Sequence, residues 1–368
     1  MVVRDRGRAA GRPPLTRLTG LERFVLAGVA VVTAVAGVVR YTHGASQVLA
    51  FVLATVSLAG LAWIVSFATD QTGRRFGPAI TGVMQSTLGN LPEFFVVIFA
   101  LNAGQLIVAE TAILGSILVN ALLVLGLVIV AGALRTRDGV MRFHRGLPTD
   151  TATLLLLSTF IIILIALTHS GSNPASHHAR TISIVGSVAI LAVYGVWLRQ
   201  YLRSDAGPGE GIGPPRLATP SSVALLIAAG TGSAFVSDWF VHALTPTIHT
   251  LHISKAFAGL VIVAIAGNAV ENAAGVALAI KGRSELAISV VKNSVAQIAA
   301  FLYPLLVLVS LLTATRLTFS IAPVYAGALF GTAVIVWQIT GDGEATVFEG
   351  AALVAAFVIL ATVAAFET

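Results

Sequence analysis

The stretch LGNLPEFFVVIFAL, residues 88–101, combines features that conflict within an ordinary membrane helix. Gly89, Asn90 and Pro92 are poor residues for a helix interior, because proline removes a backbone donor and clashes with the preceding turn. Glu93 places a carboxylate where hydrocarbon is expected, at a cost of about 3 kcal/mol or more. The stretch therefore predicts a broken helix beside a buried acid, and such a costly combination indicates a function.

The rest of the chain has the composition of a polytopic membrane protein. Of its 368 residues, 57% are hydrophobic and 10% are charged, whereas soluble proteins carry about 25% charged residues. The apolar residues form long blocks, which is typical of helical spans, and no signal peptide is evident before the first block. We therefore expect an all-α protein embedded in a lipid bilayer, the inner (cytoplasmic) membrane of a prokaryote. The net charge of +6 needs no nucleic-acid partner, and no feature indicates an oligomeric state.

The apolar blocks predict about eleven transmembrane helices in two halves. The predicted segments are a basic cytoplasmic tail (1–20), an extra first helix (21–42), a first five-helix repeat (43–202), a cytoplasmic Gly/Pro linker (203–220) and a second five-helix repeat (221–368). The candidate spans are 22–39, 47–68, 76–101, 106–133, 151–168, 181–201, 221–243, 255–280, 285–312, 318–339 and 345–365.

Lysine and arginine set the expected orientation, because they concentrate in cytoplasmic loops. If the N-terminus is cytoplasmic and the loops alternate, seventeen of these residues lie inside and four, Arg40, Arg180, Lys255 and Arg316, lie outside. Lys292 falls within a span. The N-terminus and the linker are therefore predicted to face the cytoplasm and the C-terminus the opposite side.

The opening stretch has a counterpart in VIVAIAGNAVENAAGVALAI, residues 261–280. One constant shift along the chain, called the repeat shift below, lays the glycine, asparagine and glutamate of the first copy on identical residues of the second. The matched pairs are Gly89 with Gly267, Asn90 with Asn268, Glu93 with Glu271, Gly104 with Gly282 and Ser116 with Ser294. The predicted orientation makes the two copies run in opposite directions. Inverted repeats with helix breaks at mid-membrane are typical of secondary transporters.

Polar side chains in the following spans add further oxygen atoms. Ser116 and Asn120 share a helical face at i and i+4, and the later span carries Asn293, Ser294 and Gln297 within one turn. Two carboxylates with amide, hydroxyl and carbonyl oxygens suit a hard cation such as Ca²⁺. When the cation leaves, two close carboxylates favour protonation, which predicts exchange of the cation for H⁺ without any cofactor.

The motifs GNLPE, GNAVE, GSILVN and NSVAQ resemble the two alpha-repeats of the calcium/cation antiporter superfamily, and its cation/proton exchanger branch above all. The resemblance implies alternating-access export of Ca²⁺, or a similar cation, driven by inward H⁺ flow. It implies Glu93 and Glu271 as central ligands that also carry the protons. The supporting ligands that it implies are Asn90, Asn268, Ser116, Asn120, Ser294 and Gln297.

The alternatives are a Na⁺/H⁺ or K⁺/H⁺ exchanger of the same fold, an intramembrane enzyme or a channel. The chain has no HExxH, no GxSxG and no cysteine, so we expect a transporter rather than an enzyme.

Five positions depart from the branch, and three of them, Lys292, Asn293 and Asn272, are expected to modulate transport. Asn272 stands where the branch often has histidine, and Asn293 where glycine is usual. Lys292 either extends to the cytoplasmic interface or places a charge near the carboxylates, and only the second arrangement disfavours a divalent ion. Asp70 and Asp238 replace glutamates and are expected to lie on the proton path.

Overall fold

The computed structural model describes residues 18–42, 46–73, 84, 87–144, 146–171, 173–204 and 216–367. At residues 146–149, 170, 201–202, 204 and 270–271 it describes the backbone alone. The predicted tail up to residue 17, most of the predicted linker and the first part of the predicted third span lie outside it. Within the described residues nearly all secondary structure is helical, which confirms the predicted fold class. Nine described helices are long and apolar enough to cross a membrane, and one bent pair provides a tenth span.

A helix stands at each of the eleven predicted spans. The third is described only as a short apolar helix, and the eighth is a pair bent by 58°. The helices are α1 Gly20–Tyr41, α2 Gln47–Gly73, α3 Leu91–Asn102, α4 Leu106–Ala133, α5 Gly146–Ser170, α6 Ala179–Ser204, α7 Thr219–Leu251, α8 Lys255–Gly267, α9 Ala269–Ile280, α10 Ser284–Leu312, α11 Pro323–Thr340 and α12 Val347–Phe366.

The two helix breaks have the same backbone geometry. Asn90 precedes α3 with φ −85° and ψ 9°, and Asn268 separates α8 from α9 with φ −94° and ψ 8°. These values lie in the bridge region rather than in the helical region. Pro92 then occupies the second position of α3, where its missing N–H would have had no helical partner in any case. The unfavourable residues of the opening stretch therefore lie at the break and at the start of a short helix.

The repeat also extends to the far ends of the two short helices. α3 and α9 have equal lengths, and the repeat shift lays one on the other from end to end. Each ends in a turn at a glycine with positive φ, 71° at Gly104 and 77° at Gly282, a conformation that glycine adopts without a steric penalty. In each turn the N–H after the glycine donates to the carbonyl five residues earlier, at 2.8 and 3.0 Å. Equal residues therefore build equal backbone in both copies.

Contacts between loops assign the helix ends to two opposite sides. On one side the loop after α4 forms a short antiparallel ladder, β1 Val140–Arg142 with β2 Glu344–Thr346, and its Arg135 donates to the carbonyl of Ile280 at the end of α9. On the other side Asn102, at the end of α3, accepts from the N–H of Ala314. α4 starts on the side of Asn102, at the end of α3, and finishes on the side of Arg135, which contacts the end of α9. The ends of α3 and α9 therefore face opposite sides of the protein, and the two repeats are inverted. The β ladder is an addition to the predicted all-α fold.

The most buried spans are the ones that follow the helix breaks. In the most apolar 18-residue window of each span, 83% of the residues of α4 and 67% of those of α10 are buried, against 6% for α1. The extra first helix packs at the periphery on α2 and α7, where a Cβ on Gly37 would lie 2.9 Å from the Trp239 ring. The fold therefore places α4 and α10 at its centre, beside the breaks.

Candidate cation site

Glu93 lies in the first turn of α3 and contacts the break of the other repeat. Its side chain is 6% exposed, and its position near the positive end of the helix dipole favours a carboxylate. A Cβ added at Gly267 would lie 2.7 Å from Glu93 Oε1, so the glycine makes room for the acid. Glu271 occupies the same third position of α9, but its side chain is outside the described part. The expected meeting of the two carboxylates therefore stays a prediction.

Three predicted ligands from different repeats form one hydrogen-bonded group. Asn120 Nδ2 donates to Asn268 Oδ1 at 2.9 Å, and Asn268 Nδ2 donates to Ser116 Oγ at 2.9 Å. The same two nitrogens also donate to the carbonyls of Ser116 and Ala264, at 2.8 and 2.9 Å. Both amide nitrogens donate within the protein, and Asn120 Oδ1 is the side-chain oxygen of this group that accepts no hydrogen bond in the described part of the chain.

Several buried oxygens on α4 and α10 have no hydrogen bond in the described part of the chain, and two of them belong to the predicted ligands Asn120 and Ser294. Asn120 Oδ1 and Ser294 Oγ accept no hydrogen bond within the described chain, and their residues are 1% and 3% exposed. A buried polar atom without a partner costs about 1–3 kcal/mol, so a bound cation would relieve a real penalty. Asn90 and Gln297 are also buried, at 2% and 3% exposure. All of the predicted ligands whose side chains are described therefore lie in the protein interior.

Wide π turns occur at matched positions of α4 and α10. Val119–Val124 includes Asn120, and Ile298–Leu302 follows Gln297 directly. The repeat shift lays these two turns on each other. A third π turn, Ala258–Val263, precedes the break at Asn268. Single π turns are frequent at functional sites because they change the direction in which the following side chains point.

A small cavity lies beside Glu93, between the two repeats. It is lined by Glu93, Val97, Ala112, Ile113, Ser116, Val263 and Leu302. Its walls are apolar apart from the carboxylate and the hydroxyl. Among the described residues, no three or more His, Cys, Asp or Glu side chains lie close enough together to hold a metal ion. Any cation here would therefore rely on amide, hydroxyl and carbonyl oxygens as well as on carboxylate.

Lys292 is buried, and its side chain contacts the end of α11. The residue is 1% exposed, and Nζ donates to Thr340 Oγ1 at 2.8 Å, at the end of α11. The side chain is thus directed to the nearer membrane face without reaching solvent. Its neighbour Asn293 donates to Ser289 Oγ at 3.4 Å, and Asn272 is partly buried. Thr340 was not singled out from the sequence, since a threonine at a helix end carries no specific signal.

Asp70 belongs to a polar chain that the sequence did not reveal. Gln71 Nε2 donates to Asp70 Oδ2 at 3.1 Å, while Gln71 Oε1 accepts from the backbone N–H of Arg216 at 2.8 Å. The Arg216 guanidinium forms an ion pair with Glu22 at 2.5 Å. The chain therefore connects the end of α2 to the start of α1 and the end of the linker. Asp238 is half-buried on α7, away from this group.

Comparison with known proteins places this geometry in a family. The sodium/calcium exchanger protein family matches residues 46–200 and 221–366. The chain is 29% identical over 345 residues to the Ca²⁺/H⁺ antiporter ChaA of Bacillus subtilis, across 92% of this chain and 97% of that protein. It is 29% identical over 320 residues to the vacuolar calcium ion transporter of Schizosaccharomyces pombe, across 84% and 77%.

Solved structures share the fold over nearly the whole chain. The structure of native YfkE matches with a TM-score of 0.76 at 25% identity, covering 93% of this chain and 99% of that one. The H⁺/Ca²⁺ exchanger CAX matches in fold, with a TM-score of 0.71 at 16% identity and coverage of 92% and 88%. The resemblance seen in the motifs is confirmed. Since the family match covers both halves, this chain belongs to the sodium/calcium exchanger protein family.

Proposed function

We propose that the protein is a secondary active antiporter that exports Ca²⁺ from the cytoplasm in exchange for H⁺. The observation that carries this proposal is that buried Glu93 lies against Gly267 at the break of the other repeat and lines a small cavity together with Ser116, which accepts a hydrogen bond from Asn268 at that break. The names of both relatives, Ca²⁺/H⁺ antiporter and vacuolar calcium ion transporter, support Ca²⁺ as the cation, and the first name also supports coupling to H⁺.

The ligand set suits a hard divalent cation. Carboxylate from Glu93 and Glu271 and neutral oxygens from Ser116, Asn120 and Ser294 are the atoms that Ca²⁺ prefers. Asn90, Asn268 and Gln297 complete the proposed shell. Two negative charges balance the two positive charges of the ion, which a single carboxylate cannot do. A Na⁺/H⁺ or K⁺/H⁺ exchanger is favoured only if Lys292 places a charge at this site, and the hydrogen bond from its Nζ to Thr340 Oγ1 supports Ca²⁺ over that alternative.

Protons and the cation are proposed to compete for the same two glutamates. An ion bound between two carboxylates favours their ionised forms, and its departure leaves two like charges that favour proton uptake. Glu93 and Glu271 thus alternate between a cation-bound and a protonated state, and each state faces the two sides in turn. Asp70 and Asp238 are proposed to relay protons, and Lys292, Asn272 and Asn293 to modulate the exchange.

The proposed orientation follows from the lysine and arginine distribution. The N-terminus, the linker between the two halves (203–220) and the β1–β2 ladder face the cytoplasm, and the C-terminus faces outside. The membrane is proposed to be the inner membrane of a prokaryote, with repeats spanning 43–202 and 221–368. Ca²⁺ binding and release then occur from opposite sides of the site.

Everted membrane vesicles with an imposed pH gradient test the proposal. Added Ca²⁺ should collapse the gradient, and Na⁺ or K⁺ at the same concentration should not. Glu93→Gln and Glu271→Gln keep the side-chain shape but lose charge and titration, so each should abolish the response while folded protein remains in the membrane. Transport by either variant at the unsubstituted rate, or a gradient response to Na⁺ or K⁺ alone, would overturn it.

A further inference from the structure

The far ends of α3 and α9 are each held by a loop of the opposite repeat. At one face Asn102 Oδ1, on the last residue of α3, accepts from the Ala314 N–H at 3.2 Å. At the other face the carbonyl of Ile280, the last residue of α9, accepts from Arg135 Nη1. The two accepting residues coincide under the repeat shift, although Asn102 accepts through its side chain and Ile280 through its backbone carbonyl. The donors lie in the two loops that the same shift superimposes, after α4 and after α10.

These contacts are placed where they can restrain the movement of the helices that carry the central acids. α3 and α9 are twelve residues long, about 18 Å at 1.5 Å per residue, with Glu93 or Glu271 at the inner end. At each break the chain has left helical geometry, so the short helix can tilt there while its own hydrogen bonds remain intact. Tilting about the break moves the far end most, and the far end is where each hydrogen bond is found.

The two contacts differ in strength. Arg135 brings a positive charge to the carbonyl end of α9, where the helix dipole is negative, and a Cβ added at Gly282 would lie 3.7 Å from Arg135 Nε. The guanidinium therefore lies against the glycine turn as well as on the carbonyl. At Asn102 a neutral side-chain amide accepts from a backbone N–H. Hydrogen bonds with a charged partner are stronger than neutral ones, so the Arg135 contact is expected to be the stronger of the two.

We propose that the Arg135–Ile280 and Asn102–Ala314 hydrogen bonds are a pair of clasps, one for each face of the membrane. Opening the site to one face requires release of the clasp at that face while the opposite clasp holds. Both clasps are made in this structure, and the cavity beside Glu93 is small. The proposal rests on alternating access, but it concerns which face opens and not which ion is bound.

The chain contains no cysteine, so one introduced cysteine is a unique thiol. Ala112→Cys places it on the cavity wall beside Glu93. A membrane-impermeant maleimide is then added to right-side-out or to everted vesicles, and the labelling rate from each face is measured in the absence of an ion gradient. Because labelling needs no transport, its outcome is independent of whether Ca²⁺ and H⁺ are the exchanged ions.

Arg135→Gln should raise the labelling rate from the Arg135 face about two- to fivefold, the size expected for an exposed charged contact, and leave the other face unchanged. Asn102→Leu should raise labelling from the opposite face alone. The matched control is Arg137→Gln, since Arg137 lies in the same loop, is exposed and makes no hydrogen bond in the described part of the chain. It should change neither rate.

The proposal is wrong if either clasp variant raises labelling from both faces equally, or from neither. Equal rises would mean that the contacts support the fold in general rather than one gate. The two variants test different clasps, so poor folding of one, seen by size-exclusion chromatography, leaves the other as a complete test.

Discussion

Replacing Gly267 with alanine should weaken Ca²⁺ binding without unfolding the protein. The added Cβ would lie 2.7 Å from Glu93 Oε1 and 3.1 Å from Cδ, whereas ordinary contact begins near 3.4 Å. The carboxylate must therefore retreat by about 0.7 Å, the difference between 3.4 and 2.7 Å. Overpacking of this kind costs about 1–3 kcal/mol. If that cost falls on the bound geometry, the dissociation constant rises about 5- to 150-fold.

The dissociation constant is measured by calorimetry on purified protein, with thermal unfolding recorded in parallel. Helix propensity favours alanine over glycine by about 1 kcal/mol, so a weaker binding constant would not come from loss of helix. Gly327→Ala in α11 is the control, because nothing lies within 4 Å of its added Cβ. It should leave Ca²⁺ affinity unchanged.

A second substitution tests the cause directly. Glu93→Asp shortens the side chain by one methylene and withdraws the carboxylate from the added methyl. The double variant with Gly267→Ala should therefore bind better than the sum of the two single losses, with a coupling of about 0.5–3 kcal/mol. Strictly additive losses, or a Gly267→Ala affinity within twofold of the unsubstituted protein, would refute the proposed contact.

Two further outcomes follow from the same site. Lys292→Met replaces a buried amine with an apolar side chain of similar size and so removes the cost of burying a polar group, at the loss of one hydrogen bond to Thr340. Thermal stability should hold or rise, while Ca²⁺ affinity and charge movement per cycle stay unchanged; a changed affinity would mean that the Lys292 amine acts at the cation site. The proposed competition at Glu93 and Glu271 predicts that Ca²⁺ affinity falls as pH falls, approaching about a hundredfold per unit where both groups are mostly protonated and two protons are displaced, and about tenfold if one is. Calorimetric titration between mildly acidic and mildly alkaline pH measures this slope. A Ca²⁺ dissociation constant that does not change with pH would mean that protons use another path.

Much of the fold was predictable because membrane insertion leaves strong signals along the chain. Long apolar blocks set the spans, and GNLPE and GNAVE marked the two breaks, because such residues are tolerated in a bilayer only for a reason. The repeat was visible because the same unusual residues recur in both halves of the chain. These matched residues form matching turns at Gly104 and Gly282. The resemblance to a known family named Ser116, Asn120 and Asn268 as ligands, and the structure joins the three by hydrogen bonds, while their role as ligands stays a prediction.

Tertiary structure alone decided which distant groups meet. The partner of Lys292 is a threonine at the end of another helix, and Arg135 reaches the carbonyl of Ile280 across 145 residues. Gln71 joins Asp70 to Arg216 in the same way, and β1 pairs with β2 from a loop far along the chain. None of these contacts has a local pattern, because each depends on how helices pack and where their ends stop. The sequence by itself determined the spans, the breaks and the acids, since these depend on neighbours along the chain and on the bilayer. The π turns, the clasps and the direction of each buried side chain depend on packing across the bundle, and only the folded chain sets it.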